Sequence, residues 1–314
     1  MSDEPHHSGT IALIGRPNAG KSTLLNAILG QKLSIVSHRP QTTRRRLIGI
    51  HSEPGLQVAL VDTPGLHAAR DRINQAMVDA ARDSADGVDV TTWVVDARRC
   101  FERMRDGSAP FHKGHDAIAT MLSERDSGAL VVALNKIDRV PRPQLLPLLA
   151  AFAERLPHAT FVPISALKGS GLDRLLAAWK AALPECPPLY PTDQLTDATE
   201  RFLVSELIRE KLFVHLRQEV PYGVAVVIED FEQREAREGQ ERGVVAILAR
   251  IIVERDPQRG IVIGKGGGML KRVGTEARAD IEELLGTRVH LDMHVSVRKD
   301  WTTNPRMLQQ LGLN

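Results

Sequence analysis

Apolar and polar positions along this chain fall into two textures. Up to about residue 183, short continuous apolar runs end in small or polar residues and alternate with stretches whose apolar positions recur at helical spacing. The runs at 11–14, 47–51, 58–61, 90–96, 129–134 and 160–164 predict strands. Helical spacing predicts helices over 23–29, from about 111 onward, over 144–155 and over 172–183, with Trp179 as a core residue of the last. This alternation, with one short antiparallel hairpin, predicts an α/β fold: a doubly wound, mostly parallel sheet covered on both faces. The texture changes at Pro184-Glu185-Cys186-Pro187-Pro188-Leu189-Tyr190-Pro191, where four prolines forbid helix and predict a stiff, extended linker. A smaller α+β domain follows. It comprises a long amphipathic helix over 200–216, a strand over 224–231, a solvated hairpin tip over the mixed-charge stretch 232–242 and a strand over 244–254. A glycine-rich helical region and a last strand over 289–297 complete it, with His290, Asp292 and His294 on the outer face of that strand. The resulting division is a disordered start at 1–9, a first domain at 10–183, a linker at 184–199, a second domain at 200–300 and a tail at 301–314.

The first apolar run leads into Gly15-Arg16-Pro17-Asn18-Ala19-Gly20-Lys21-Ser22 and then a helix beginning near Thr23, a complete G-x-x-x-x-G-K-[ST] phosphate-binding loop in its strand-loop-helix setting. A polyphosphate needs donors without side-chain bulk. Two glycines let the backbone curl its N–H groups toward the phosphate oxygens, and the helix start adds its positive dipole end. Lys21 is placed to reach the outer phosphates, and the Ser22 hydroxyl to ligate a bridging Mg²⁺.

Two later strand ends carry matching chemistry. The third run ends in Asp62-Thr63-Pro64-Gly65, where Asp62 is suited to hold Mg²⁺ through water and Gly65 to swing toward a γ-phosphate. The fifth ends in Asn135-Lys136-Ile137-Asp138, whose Asp138 carboxylate can accept both the ring N–H and the exocyclic amine of guanine, an arrangement adenine does not offer. Asn135 and Lys136 would brace that loop and cover the base. Ser165 and Ala166, after the sixth run, can offer backbone N–H groups to the guanine carbonyl. Three motifs in order at strand ends point to guanine nucleotides. Between the first two lies a basic, aperiodic loop, Ser37 to Arg46, and His112 with His115 stand at a spacing two imidazoles can share on one metal. No third ligand accompanies them, and a helix start accounts for the neighbouring Gly114 and Asp116.

In the second domain Gly264-Lys265-Gly266-Gly267 is not a second phosphate loop, because no hydroxyl residue follows Lys265. It reads as a G-x-x-G loop between two helical turns, where small residues admit a single-stranded nucleic-acid backbone and Ile263 with Leu270 line an apolar groove for bases. Lys265, Lys271 and Arg272, with Arg255 and Arg259, make this stretch locally basic, although residues 200–314 carry eighteen basic and eighteen acidic groups. The net charge of +2 likewise excludes a nucleic-acid footprint spread over the whole surface. Only Cys100 and Cys186 occur, without a C-x-x-C, so neither a zinc site nor a disulfide framework is indicated and a reducing cytoplasm fits. No apolar run approaches the length of a membrane span, and the start lacks the apolar core of a signal peptide.

In G-R-P-N-x-G-K-S at 15–22, Q-T-T-R at 41–44, D-T-P-G at 62–65, N-K-x-D at 135–138, S-A at 165–166 and I-G-x-x-G at 263–267, in this order, the chain resembles the Era-type ribosome-associated GTPases. In that family a Ras-like P-loop GTPase domain precedes a KH domain of the type II arrangement, and the resemblance covers nearly the whole chain after residue 9. It implies hydrolysis of GTP to GDP with Mg²⁺, binding to the 3′ end of small-subunit (16S) ribosomal RNA, and action in assembly of the small ribosomal subunit by a cytoplasmic monomer. Peripheral attachment to the inner face of the cell membrane is also implied. Carried over by motif, Thr43 or its neighbour Thr42 is the switch threonine that reaches Mg²⁺, and the catalytic set is Lys21, Thr43, Asp62, Gly65 and Asn18. Asn18 resembles the asparagine with which related GTPases hold K⁺ against the phosphates; the plainer reading is that it caps a turn. Leu66 stands where Ras-like switches carry a water-orienting glutamine. Two departures are Ala19, where many members have a branched apolar residue, and Gly268-Met269, where a basic residue often opens the helix. The competing class is a GTPase whose C-terminal domain docks protein or membrane.

Overall fold

A computed structural model describes residues 5–35, 47–62, 86–111, 113–124, 128–217, 219–234, 243–302 and 304, with backbone alone for Asp62 and Lys113. The chain divides into two compact units, the first holding Met1–Ser34 and Pro40–Asp197 and the second Ile35–Arg39 and Ala198–Asn314.

In the first unit the strands are β1 (His7–Ile14), β2 (Leu47–Glu53), β3 (Leu56–Asp62), β4 (Val90–Asp96), β5 (Ala129–Asn135) and β6 (Thr160–Pro163). They form one sheet in the order β2-β3-β1-β4-β5-β6, with β2 alone antiparallel to its neighbour. All seven residues of β4 are buried, as a central parallel strand covered on both faces requires. Helices α1 (Lys21–Leu29), α2 (Ala97–Arg105), α3 (Lys113–Ser123), α4 (Leu145–Arg155) and α5 (Leu172–Ala182) supply that cover. Trp93, Leu134, Ile118, Leu148 and Phe152 meet in one core on one side of the sheet. Trp179 is fully buried, and its indole N–H donates to the Thr92 hydroxyl at 2.9 Å. Gly30 ends α1 and Gly171 precedes α5, both at positive φ.

Three expectations need correction here. The chain is ordered into β1 from His7, not from residue 10, because Ser8 N–H donates to the Pro184 carbonyl and the His6 ring bonds the Cys186 carbonyl, giving the early backbone partners far along the chain. For the same reason the proline-rich stretch is not a free linker. The buried Gln57 side chain accepts from the N–H groups of Leu189 and Tyr190 and donates to the Tyr190 carbonyl, while Thr196 bridges to Gly49 on the sheet-edge strand β2. Pairing along β2 covers an otherwise open sheet edge. Finally, α2 follows β4 directly. Its five charged side chains among nine residues hide the helical spacing, and Asp96 starts it by accepting from Arg99 N–H.

The second unit runs α6 (Glu200–His215), β7 (Ala225–Arg234), β8 (Val244–Val253), α7 (Asp256–Ile263), α8 (Gly268–Leu285) and β9 (Arg288–Val297). Its sheet has the order β7-β8-β9, with β7 antiparallel and β9 parallel to β8. Alternate residues of β8, among them Ile247 and Ile251, pack with Ile208 and Leu212 of α6 and with Val273, Ala277 and Ile281 of α8. His290, Asp292 and His294 are exposed on the outer face, as the alternation predicts. Trp301 corrects the expected tail boundary at 300: it is buried against Ala225 and Ile252, and its indole N–H donates to the Gly223 carbonyl. Among the described residues no helix is long and apolar enough to cross a membrane.

Candidate functional site

Because β1, β3, β4, β5 and β6 run parallel, their C-terminal ends lie along one edge of the sheet, and the loops leaving them share one crevice. The phosphate loop leaves β1. Gly15 and Gly20 hold φ of 148° and 101°, and a Cβ at either would lie 2.4 Å from the Val94 carbonyl oxygen or 2.3 Å from the Asn135 amide nitrogen. Neither position accepts a side chain. Asn18 sits at φ 63°, a conformation Asn tolerates better than most residues. Lys21 Nζ donates to the Gly15 carbonyl at 2.9 Å, across the mouth of the loop, and Ser22 and Thr23 stand in the first turn of α1.

Asn135 locks three loops together. Its Nδ2 donates to the Ala19 carbonyl at 2.9 Å, and its Oδ1 accepts from Lys136 N–H and from Ala166 N–H at 2.8 and 3.0 Å. Lys136, at φ 67°, turns the chain so that its Nζ reaches the Asn18 carbonyl at 2.5 Å and an Asp96 carboxylate oxygen at 2.6 Å. Asp138 accepts from the fully buried Ser165 hydroxyl at 2.6 Å, which aims the carboxylate and joins the β5 and β6 loops. Arg16 follows Gly15 in the loop, and burial, then the nearby Arg99 guanidinium, lowers its pKa. Arg16 Nε is buried and has no hydrogen-bond partner among the described residues. A glycine cradle that excludes Cβ atoms, with Lys21 at its mouth and a helix N-terminus behind it, fits a polyphosphate.

The structure brings Gly15 to Thr23, Asn135, Lys136, Asp138, Ser165 and Ala166 together, and places the backbone of Asp62 at the end of β3, opposite Leu13. Thr42, Thr43, Thr63, Pro64, Gly65, Leu66 and His112 lie outside the described residues. His115 is buried edge-on against Trp93, a packing role. Sequence reading missed Asp96, whose only signal was its place at the end of the apolar run 90–96; its register with Asn135 is set by the sheet.

The second candidate site is the turn between α7 and α8. Gly264, Gly266 and Gly267 all have positive φ, and a Cβ at Gly264 would meet Met269 Cβ at 2.6 Å, so only glycine fits there. Around Gly266, Gly267 and Gly268 there is open space. Lys265, Lys271 and Arg272 are exposed beside it. Ile263 and Leu270 are only partly open, each packed against the second core, and the apolar side chain most available to a ligand is Ile261, 48% exposed. That difference from expectation follows from helical phase: Val262 is fully buried, which turns Ile261 outward.

Comparison with known proteins bears on both sites. Residues 10–136 match the family of 50S ribosome-binding GTPases, and residues 219–302 match the KH domain family. The chain is 46% identical over 312 residues to GTPase Era of Geobacter sp. (strain M21), covering 99% of each. It is 47% identical over 312 residues to GTPase Era of Geotalea uraniireducens (strain Rf4), again covering 99% of each. The chain belongs to the Era GTPase family. A crystal structure of Era in complex with MgGDPNP and nucleotides 1506–1542 of 16S ribosomal RNA superposes with a TM-score of 0.83 at 35% identity, covering 98% of this chain and 99% of that one. A crystal structure of a single-residue variant of Aquifex aeolicus Era bound to GDP·AlF4⁻ gives 0.82 at 35% identity, with the same coverage. Family membership makes the chain a GTPase, with a P-loop GTPase unit followed by a KH unit. The αββααβ order of the second unit, with β9 parallel to β8, is the type II arrangement.

Proposed function

We propose that the chain is a guanine-nucleotide switch that grips the 3′ end of 16S ribosomal RNA through its KH unit and acts in assembly of the small ribosomal subunit. The observation that carries the nucleotide half is Asn135, which ties the phosphate loop, the base loop and the Ser165–Ala166 turn into one site. Gly15 to Thr23 would hold the phosphates of GTP or GDP, Asp138 with Ser165 and Ala166 the guanine, and Ser22, Asp62 and Thr43 the Mg²⁺. Held there, the metal would supply charge neutralisation at the phosphates. Lys21 adds a second positive charge there, and Gly65 supplies a backbone N–H. Leucine at 66 cannot orient water, so intrinsic turnover is slow and a partner or ion completes the site. Asn18 is the residue proposed to hold a K⁺ ion for that purpose.

The RNA half rests on the open glycine turn with its exposed cations and on the Era relative solved with 16S ribosomal RNA. Backbone approach at Gly264 to Gly267 and phosphate contact by Lys265, Lys271 and Arg272 fit a single strand. The compartment is the cytoplasm, and peripheral attachment to the inner face of the membrane belongs to the same proposal.

The decisive experiment measures affinity for a short 16S 3′-end RNA against salt. Each phosphate contact contributes a slope of about −0.7 in log K against log salt for a single strand, so three contacts give a slope near −2. A salt-independent association, or none, would instead support docking of protein or membrane by the KH unit.

A further inference from the structure

We infer that Asp96 is a positioning residue for nucleotide binding, acting through Lys136. The inference rests on the nucleotide site proposed above and adds to it a residue outside the phosphate and base motifs. Asp96 ends β4 in register with Asn135, so the topology places its carboxylate beside the base loop. Only 7% of the residue is exposed, and its two oxygens have separate tasks. Oδ1 accepts from Arg99 N–H at 3.2 Å and starts α2. Oδ2 lies 2.6 Å from Lys136 Nζ and 3.7 Å from Arg99 Nε.

The Lys136 ammonium is shared between that carboxylate and the Asn18 carbonyl, at 2.6 and 2.5 Å. It therefore clamps the base loop to the phosphate loop, and Asp96 holds the ammonium where both can be reached. Lys136 stands at φ 67°, a conformation costly for a lysine, and the clamp helps the Asn135 side chain, which accepts from Lys136 N–H, to retain the turn. A carboxylate this buried also gives Lys136 a charge-assisted bond, roughly twice the strength of a neutral one. Without the Asp96 charge the ammonium keeps a single neutral carbonyl. The base loop then loses its fixed distance from the phosphate loop, and a ligand held at both ends dissociates faster.

The test uses the full chain and a fluorescent GDP analogue. Asp96→Asn keeps an oxygen for Arg99 N–H while removing the charge. GDP affinity should fall about ten-fold, mostly through faster release, as for loss of one charge-assisted hydrogen bond. At saturating GTP, kcat should stay within about two-fold, because the group never approaches the transferred phosphoryl. The discriminating arm is the cycle with Lys136→Ala. If Asp96 acts through Lys136, the double variant binds no more weakly than Lys136→Ala alone, and Asp96→Glu, which keeps the charge, recovers part of the loss. Unchanged GDP affinity in Asp96→Asn, or losses that add in the double variant, would overturn the inference while leaving the nucleotide site intact. Failure of the unsubstituted chain to bind GDP would overturn the site itself.

Discussion

At the scale of single residues, the base-reading carboxylate is the sharpest case. Asp138 is oriented by the Ser165 hydroxyl on Oδ1, while its Oδ2 lies 3.8 Å from Arg139 Nε. Asp138→Asn replaces an acceptor by a donor, so guanine nucleotide affinity should drop and xanthine nucleotides should gain. Mispaired groups of this kind discriminate by factors of about 10⁴, and competition between GDP and XDP reads the switch directly. Cys100 offers a different test. It is wholly buried beside Asp96, and burial with that carboxylate pushes its thiol up to about 12. A thiol whose folded pKa is raised keeps its proton in the native state while the unfolded chain gives it up near 9, so stability should decline as pH rises from 9 toward 12. At pH 8.5 iodoacetamide should label Cys100 only at the rate of global unfolding, and rapid labelling of the folded protein would contradict its burial.

At the scale of elements, the glycine turn between α7 and α8 separates fold from binding. Gly264 is bound by packing against Met269, whereas Gly266 faces open space at φ 58°. Asp at Gly266 is therefore tolerated sterically, and aspartate adopts that backbone region more readily than most residues. Lys265→Asp with Gly266→Asp should abolish binding of the 16S 3′-end fragment while leaving GTP affinity and the melting temperature close to those of the parent. Retained RNA binding would exclude the turn as the contact. The strap along β2 and β3 makes the opposite kind of demand. Gln57 is 1% exposed and makes four side-chain hydrogen bonds, three to the backbone of Leu189 and Tyr190 and one to Ser52. Gln57→Ala should lower unfolding free energy by about 1–3 kcal/mol, the loss of several part-buried hydrogen bonds to the Leu189–Tyr190 backbone, seen as a lower urea midpoint.

At the scale of the whole molecule, Leu66 stands where Ras-like switches carry a water-orienting glutamine, and the proposal that an ion or partner completes the site can be tested. K⁺ should accelerate GTP hydrolysis relative to Na⁺ at matched ionic strength, and Asn18→Gly, which suits the φ of 63°, should erase the difference while GTP stays bound. Equal rates in the two salts would leave RNA or the ribosomal subunit as the activator. Much of this architecture was legible in order along the chain. Buried parallel strands are continuous apolar runs, phosphate loops need glycine, and G-x-x-G needs small residues, so the two-domain α/β and α+β reading and the motif residues could be taken from local composition. What only tertiary structure decided were relations between distant residues. The first strand starts at His7 because residues beyond 180 give its backbone partners. The proline-rich stretch is bound because Gln57 satisfies its amides. Asp96 matters because sheet register sets it beside Lys136. Hydrophobic period is a property of neighbours in sequence, whereas each of these depends on a buried polar group finding a partner across the fold.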